Sequence, residues 1–203
     1  MRQSQEHLVF GLAGQEPAAE PLHYTLCGLD NVYLLNGFDI EDMDGEVFTA
    51  VRNVEGLHRM IALRLAVLRR PMSGQEIRFL RKDLGFTQEE LAKLFRVTRK
   101  RVNEYERGDQ LPRTSQIVLQ LKAVRKLLDE IRAPADSDDE TIRHLKPNVD
   151  AIKGWLLAIK EEIEDWILQI HEDGSEPDLP PPFICDAAIG QWKFEVSSRP
   201  AKR

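Results

Sequence analysis

Apolar side chains at Leu57, Met60, Ile61, Leu65 and Leu68 recur every three or four residues, the spacing that lines one face of a helix. Pro71 closes that helix, since the residue before a proline is driven out of helical backbone. The period returns from Thr114 to Arg132, with Ile117, Leu121, Val124, Leu127, Leu128 and Ile131 inward. It is strongest between Ile152 and Ile170. There Ile152, Trp155, Leu156, Ile159, Ile163, Trp166, Ile167 and Ile170 oppose a polar side of Lys160, Glu161, Glu162, Glu164 and Asp165. The prolines from Pro177 to Pro182 stop it. Short strand-like runs occupy Tyr24 to Cys27, Val32 to Leu35 and Val47 to Val51, punctuated by Gly28 to Asn31, by Asn36-Gly37 and by an acidic turn from Asp39 to Glu46. Trp192, Phe194 and Val196 alternate with polar neighbours as a last short strand, before a frayed tail from Arg199 to Arg203. Met1 to Pro21 shows no period and reads as a flexible lead, and Ala133 to Glu140 as a polar linker.

The stretch from Ser73 to Gly108 carries the densest local signals. Ser73 followed by Glu76 is a capping box and starts a helix whose apolar face holds Ile77, Leu80 and Leu84. Gly85 suits the left-handed residue that closes it. Thr87 with Glu90 forms a second box, after which Leu91 and Leu94 face inward and the small Ala92 permits close helix approach. Beyond a short turn at Arg96-Val97, Thr98 caps a third helix, and Gly108 ends it. Val102 and Tyr105 point inward there, leaving Arg99, Lys100, Asn103 and Glu104 outward, with Arg101 and Arg107 at the margins. A basic helix on a compact apolar support suits insertion into a major groove.

Phe86-Thr87-Gln88-Glu89-Glu90-Leu91-Ala92, Val97-Thr98, Val102, Tyr105-Glu106-Arg107-Gly108 and Pro112 together resemble the Cro and lambda-repressor-like (XRE) helix-turn-helix family. The resemblance implies a DNA-binding surface of Gln88, Thr98, Arg99, Lys100, Arg101, Asn103, Glu104 and Arg107. In that family pattern Gln88 contacts a phosphate, Lys100, Arg101 and Glu104 meet base edges, and Arg99, Asn103 and Arg107 hold the backbone. Glu104 and Glu106 temper the basic face. One residue departs from the pattern. Arg96 stands where the family's turn carries glycine, and either an unusual backbone angle there or a slightly altered turn is required, at a cost of about 1 kcal/mol.

Charge favours the middle third as the part expected to meet DNA. The 203 residues carry a formal net charge of -6, which by itself disfavours a polyanion. Along the chain, residues 1–70 hold 6 Lys and Arg against 10 Asp and Glu, residues 71–133 hold 14 against 9, and residues 134–203 hold 8 against 15. The local balances are therefore -4, +5 and -7. A nucleic acid is attracted to the middle third and repelled by both flanks.

Other function classes find little support. Two cysteines, Cys27 and Cys185, are too few for a four-ligand zinc site and read as buried, inert thiols rather than a disulfide. The five histidines show no ligand spacing, and the acidic turn lacks a glycine and a closing glutamate at the spacing of a calcium loop, so no metal and no cofactor is expected. A basic partner protein is the functional alternative to solvated charge at that turn. Asp39 and Asp42 with His58 are accompanied by no nucleophile or glycine loop, and no enzyme activity is expected. No apolar run is long enough to span a membrane and no secretory signal begins the chain, so the expected location is cytoplasmic.

The expected fold is mostly α with a small N-terminal β-unit: a lambda-repressor-like helix-turn-helix bundle plus a helical C-terminal extension. Its segments are a flexible lead over 1–21, a small β-unit with one helix over 22–70, the helix-turn-helix domain over 71–133, and an acidic extension with an amphipathic helix over 134–203. A β-unit ahead of such a domain also resembles the MqsA (YgiT-type) antitoxin layout, with the zinc cysteines lacking apart from Cys27. Two functions stay open. One is a dimeric, sequence-specific repressor of its own operon, bound to a double-stranded operator through paired half-sites. The other is an antitoxin-like protein that neutralises a toxin by protein–protein binding and co-represses the operon. The stripe at 152–170 either buries itself against its own domain or pairs the subunits, and for pairing the helix at 114–132 is an equally good candidate.

Overall fold

The computed structural model describes residues 7–44, 46–68, 70–132, 154, 156–158, 160–161, 164–165, 168, 188–189 and 192–195. They divide into two compact units, one of residues Met1–Ile61 with Cys185–Arg203 and one of Ala62–Ile184.

In the first unit a mixed five-stranded sheet is built on β1 (Leu8–Leu12), every residue of which is buried. Its run of apolar residues lacks the alternation of a half-solvated strand and suits one covered on both faces. The strand order is β2-β3-β1-β7-β6, with β2 at Leu22–His23, β3 at Val32–Leu34, β6 at Ala188–Ile189 and β7 at Trp192–Glu195. β1 lies parallel to β3, Leu8 opposite Val32, and antiparallel to β7, Phe10 opposite Phe194. The buried Asn36 closes the end of β1: its Oδ1 accepts from Leu12 N at 2.5 Å and its Nδ2 donates to Gln15 O at 2.8 Å. Tyr24 is buried, with its hydroxyl 3.2 Å from His58 Nε2.

A second, two-stranded sheet pairs β4 (Phe38–Met43) with β5 (Glu46–Val51), Phe38 opposite Val51 and Met43 opposite Glu46. Asp44 turns between them at φ 56°. Arg52 donates two hydrogen bonds to Asp39, at 2.6 and 3.0 Å, which holds the Asp39 carboxyl below the usual carboxylate range.

Three local expectations change here. The segment read as a lead contains β1, whose pairing with β7 from the far end of the chain leaves no trace in the sequence around it. Tyr24 to Cys27 is not a strand; the pairing stops at His23, and the run after it bends through Gly28 at φ 83°. The acidic turn from Asp39 to Glu46 is mostly strand, because cross-strand pairing overrides the poor strand propensity of Asp and Glu. His58 is engaged with Tyr24 and Asp39 with Arg52.

α1 (Val54–Ala66) follows the hairpin and carries residues of both units. In the second unit come α2 (Gly74–Asp83), α3 (Gln88–Phe95), α4 (Arg99–Arg107) and α5 (Arg113–Arg132). α5 is the supporting helix: Ile117, Leu121, Val124, Leu127 and Leu128 are buried, each contributing about 1.5–3 kcal/mol. Two buried glutamines satisfy main-chain groups between α1 and α2. Gln116 accepts from Met72 N at 3.1 Å and donates to Arg70 O at 2.9 Å, and Gln120 donates to Leu68 O at 2.6 Å. Unpaired, such buried groups would each cost about 1–3 kcal/mol.

Of the C-terminal stripe, residues 154, 156–158, 160–161, 164–165 and 168 are helical, Leu156 is buried, and Glu164 joins Lys160 and Arg125 at 2.8 and 2.7 Å. Ile152, Trp155, Ile159, Ile163, Trp166, Ile167, Ile170, Cys185 and Val196 lie outside the described residues.

Candidate nucleic-acid interface

Each helix of the 73–108 stretch starts where a side chain can satisfy its open N–H groups. Ser73 Oγ accepts from Glu76 N at 3.3 Å while the Glu76 carboxylate accepts from Ser73 N at 2.7 Å. Thr87 and Glu90 repeat the exchange at 3.1 and 2.8 Å, which lowers the Glu90 pKa. Thr98 Oγ1 accepts from Arg101 N at 3.2 Å. Between α3 and α4, Arg96 adopts φ 55° and ψ 42°, the left-handed conformation expected at this departure from glycine.

The three helices close on a small core in which Ile77, Leu80, Leu91 and Val102 are fully buried and Ala92 and Tyr105 nearly so. At Gly74 the approach is too close for any side chain: a Cβ there would meet Glu106 O at 2.4 Å. Glu106 itself is buried and serves all three helices. Its carboxylate accepts from Arg81 Nε at 2.5 Å and from Gln88 Nε2 at 2.9 Å, with Arg78 Nε at 3.4 Å. Burial alone would raise its pKa; the hydrogen bonds from Arg81 and Gln88 and the charges of Arg81 and Arg78 outweigh that and lower it.

This corrects one expectation: Glu106 is interior and does not temper the basic face. It also bears on Gln88, which is half-buried with its amide already donating to Glu106.

The remaining residues expected to meet DNA all lie on α4 or at its cap. Thr98, Arg99, Lys100 and Arg107 are exposed, and Arg101, Asn103 and Glu104 are half-buried. Lys100 Nζ stands 3.8 Å from Glu104. Arg101 is the most constrained, donating to Glu104 at 2.9 Å and to Asp109 at 2.7 Å with its guanidinium 4.5 Å from the Tyr105 ring centroid. These partners, Glu104 foremost, raise its pKa further above the ordinary arginine value. Sequence reasoning missed this clamp, although Tyr105 and Asp109 fall four and eight positions after Arg101 and were open to a helical-neighbour reading.

Among the described residues no group of three or more His, Cys, Asp and Glu is placed to hold a metal ion, and no helix is long and apolar enough to cross a membrane. Cys27 is a free, half-buried thiol whose pKa burial raises.

The helix-turn-helix family model matches residues 77–131, from the first turn of α2 to the last turn of α5. No curated protein and no solved structure matches the chain.

Proposed function

We propose, from the premise that residues 77–131 are a DNA-binding helix-turn-helix of the Cro and lambda-repressor type, that the protein is a dimeric, sequence-specific repressor of its own operon. The observation that carries this is the form of α4. It is a capped helix held from behind by Val102 and Tyr105, with Arg99, Lys100 and Arg107 exposed along it. Two such helices in successive major grooves of a double-stranded operator would occlude polymerase. Arg99, Asn103 and Arg107 anchor phosphates, and Gln88 joins them once its amide is shared with or released from Glu106. Lys100, Arg101 and Glu104, with Thr98 at the helix head, read base edges. The site of action is the cytoplasm, and the protein acts without catalysis.

A gel shift on the protein's own upstream region, titrated with salt and competitor DNA, tests this. A discrete complex that resists competitor and weakens steeply with salt is expected. A smear that competitor abolishes overturns the repressor reading.

A second reading, an antitoxin-like co-repressor with a toxin partner, is favoured by one observation: the acidic β4–β5 hairpin leaves Ile40, Met43, Val47 and Phe48 half or more exposed. It requires that the adjacent reading frame encode a small basic protein that co-purifies with this one.

A further inference from the structure

We infer that the β4–β5 hairpin is a docking arm for a basic, extended polypeptide segment of another protein. Such a surface is independent of DNA binding and gives the partner of the second reading above a place to bind.

Residues 38–51 hold five carboxylates, at Asp39, Glu41, Asp42, Asp44 and Glu46, and no Lys or Arg. Four large apolar side chains stand among them in solvent: Val47 at 68%, Ile40 and Met43 at 59% and Phe48 at 50% exposure. Exposed apolar residues scattered singly need no explanation, but the register gathers Met43 and Phe48 with Glu41 and Glu46 on one face of the hairpin, Ile40 and Val47 lying on the opposite face with Asp42, and such a mixed face marks a binding surface.

The register sets the two chemistries against each other. Directly paired residues share a face, so Val47 sits beside Asp42, Phe48 beside Glu41, and Met43 beside Glu46. Three of the four exposed apolar side chains thus have a carboxylate as cross-strand neighbour. A lysine or arginine laid on such a pair can rest its methylene stem on the apolar side chain and its charge on the carboxylate. Among the described residues the two-stranded sheet also offers an outer main-chain edge on each strand, which an extended segment can extend by strand addition.

Charge selects the occupant. Nucleic acid and anionic lipid surfaces are repelled. A second copy of the hairpin would set like charges opposite one another. The chain's own residues 134–198, at 5 basic against 15 acidic, are repelled as well, and the basic tail from Arg199 to Arg203 carries no Val, Leu or Ile to lie on the apolar side chains. The basic third of this protein is the surface proposed for DNA. What remains is a foreign segment alternating Lys or Arg with aliphatic residues.

The probe is a blocked synthetic peptide of alternating lysine and valine, titrated into the full-length protein by calorimetry and by amide-shift mapping. Saturable binding with shifts confined to residues 38–51 is expected, weakening with salt, whereas a glutamate–valine peptide does not bind. Met43→Ser with Phe48→Ser should weaken binding at least about tenfold, or about 1.4 kcal/mol. Glu41→Gln with Glu46→Gln leaves the apolar residues in place, guards against a loosened hairpin in the first variant, and should weaken binding and flatten its salt dependence.

Undiminished binding by both variants, shifts elsewhere, or no binding at millimolar peptide overturns the proposal. So does a fall in oligomeric state of the hairpin variants by sedimentation, which would make a second copy the occupant. Both variants should retain the gel shift on DNA. Failure of the repressor reading would appear instead as its loss in the unaltered protein.

Discussion

Arg81 and Glu106, twenty-five positions apart, form a buried ion pair in which the Arg81 Nε donates to Glu106 Oε1 at 2.5 Å. Arg81 also donates to Phe86 O at 2.8 Å, so one guanidinium ties the loop before α3 to the end of α4. Since Gln88 of α3 donates to the same carboxylate, the angle at which α4 is presented depends on a single buried charge.

Removing that charge strands its partners. Glu106→Gln should therefore destabilise the domain by about 3 kcal/mol at neutral pH, in the range for breaking one side of a buried pair. Its acid response follows from the direction of the pKa shift. The folded-state pKa is lowered, so the stabilisation is complete above the ordinary carboxylate value of about 4.3 and is lost as pH falls through the folded-state value. Urea denaturation between neutral and acid pH should show the variant's deficit shrinking as pH falls. A deficit that stays constant would mean the charge is not responsible.

The contact at Gly74 makes a separate, steric prediction. A methyl group there meets the main-chain oxygen of Glu106, and neither a rotamer change nor a flexible side chain can relieve it. Gly74→Ala should cost about 2 kcal/mol through overpacking, despite the better helix propensity of alanine. Chemical denaturation measures it, and an unchanged midpoint would show that α2 and α4 can separate without penalty.

These two contacts show where sequence reasoning reaches and where it stops. The caps at Ser73, Thr87 and Thr98 were legible because each motif lies within four residues of chain. So was the exposure of Arg99 and Lys100, which follows from placing Val102 and Tyr105 inward. Glu106 was misplaced onto the surface because its burial depends on Arg81 and Gln88, supplied by two other helices. β1 was missed for the same reason: its neighbours are β3 and β7, and no local period announces a strand buried between them. The β4–β5 hairpin was obscured differently, since its acidic residues imitate a turn until the register pairs them.

Arg96 gives a prediction of opposite sign. At φ 55° an arginine bears a cost that glycine does not, partly offset by glycine's greater freedom in the unfolded chain. Arg96→Gly should raise stability by about 0.5–1 kcal/mol, read as a higher denaturation midpoint. Arg96→Ala, which keeps the strain and removes the charge, is the control and should not stabilise. Equal gains from both would assign the effect to charge and not to backbone conformation.

Arg101 and Arg107 separate reading from anchoring. Arg101 is held over Tyr105 by Glu104 and Asp109, a placement that fixes its guanidinium before DNA arrives, whereas Arg107 is exposed at the last turn of α4. Under the proposed roles, Arg101→Ala should weaken binding to the specific operator by about 10- to 100-fold while leaving non-specific DNA little affected. Arg107→Ala should weaken both alike and lower the slope of log affinity against log salt by about 1. Fluorescence anisotropy on operator and scrambled duplexes across a salt series measures both. Should Arg101→Ala lose affinity equally for the two duplexes, the clamp would be a structural device of α4, and base reading would pass to Lys100 and Glu104.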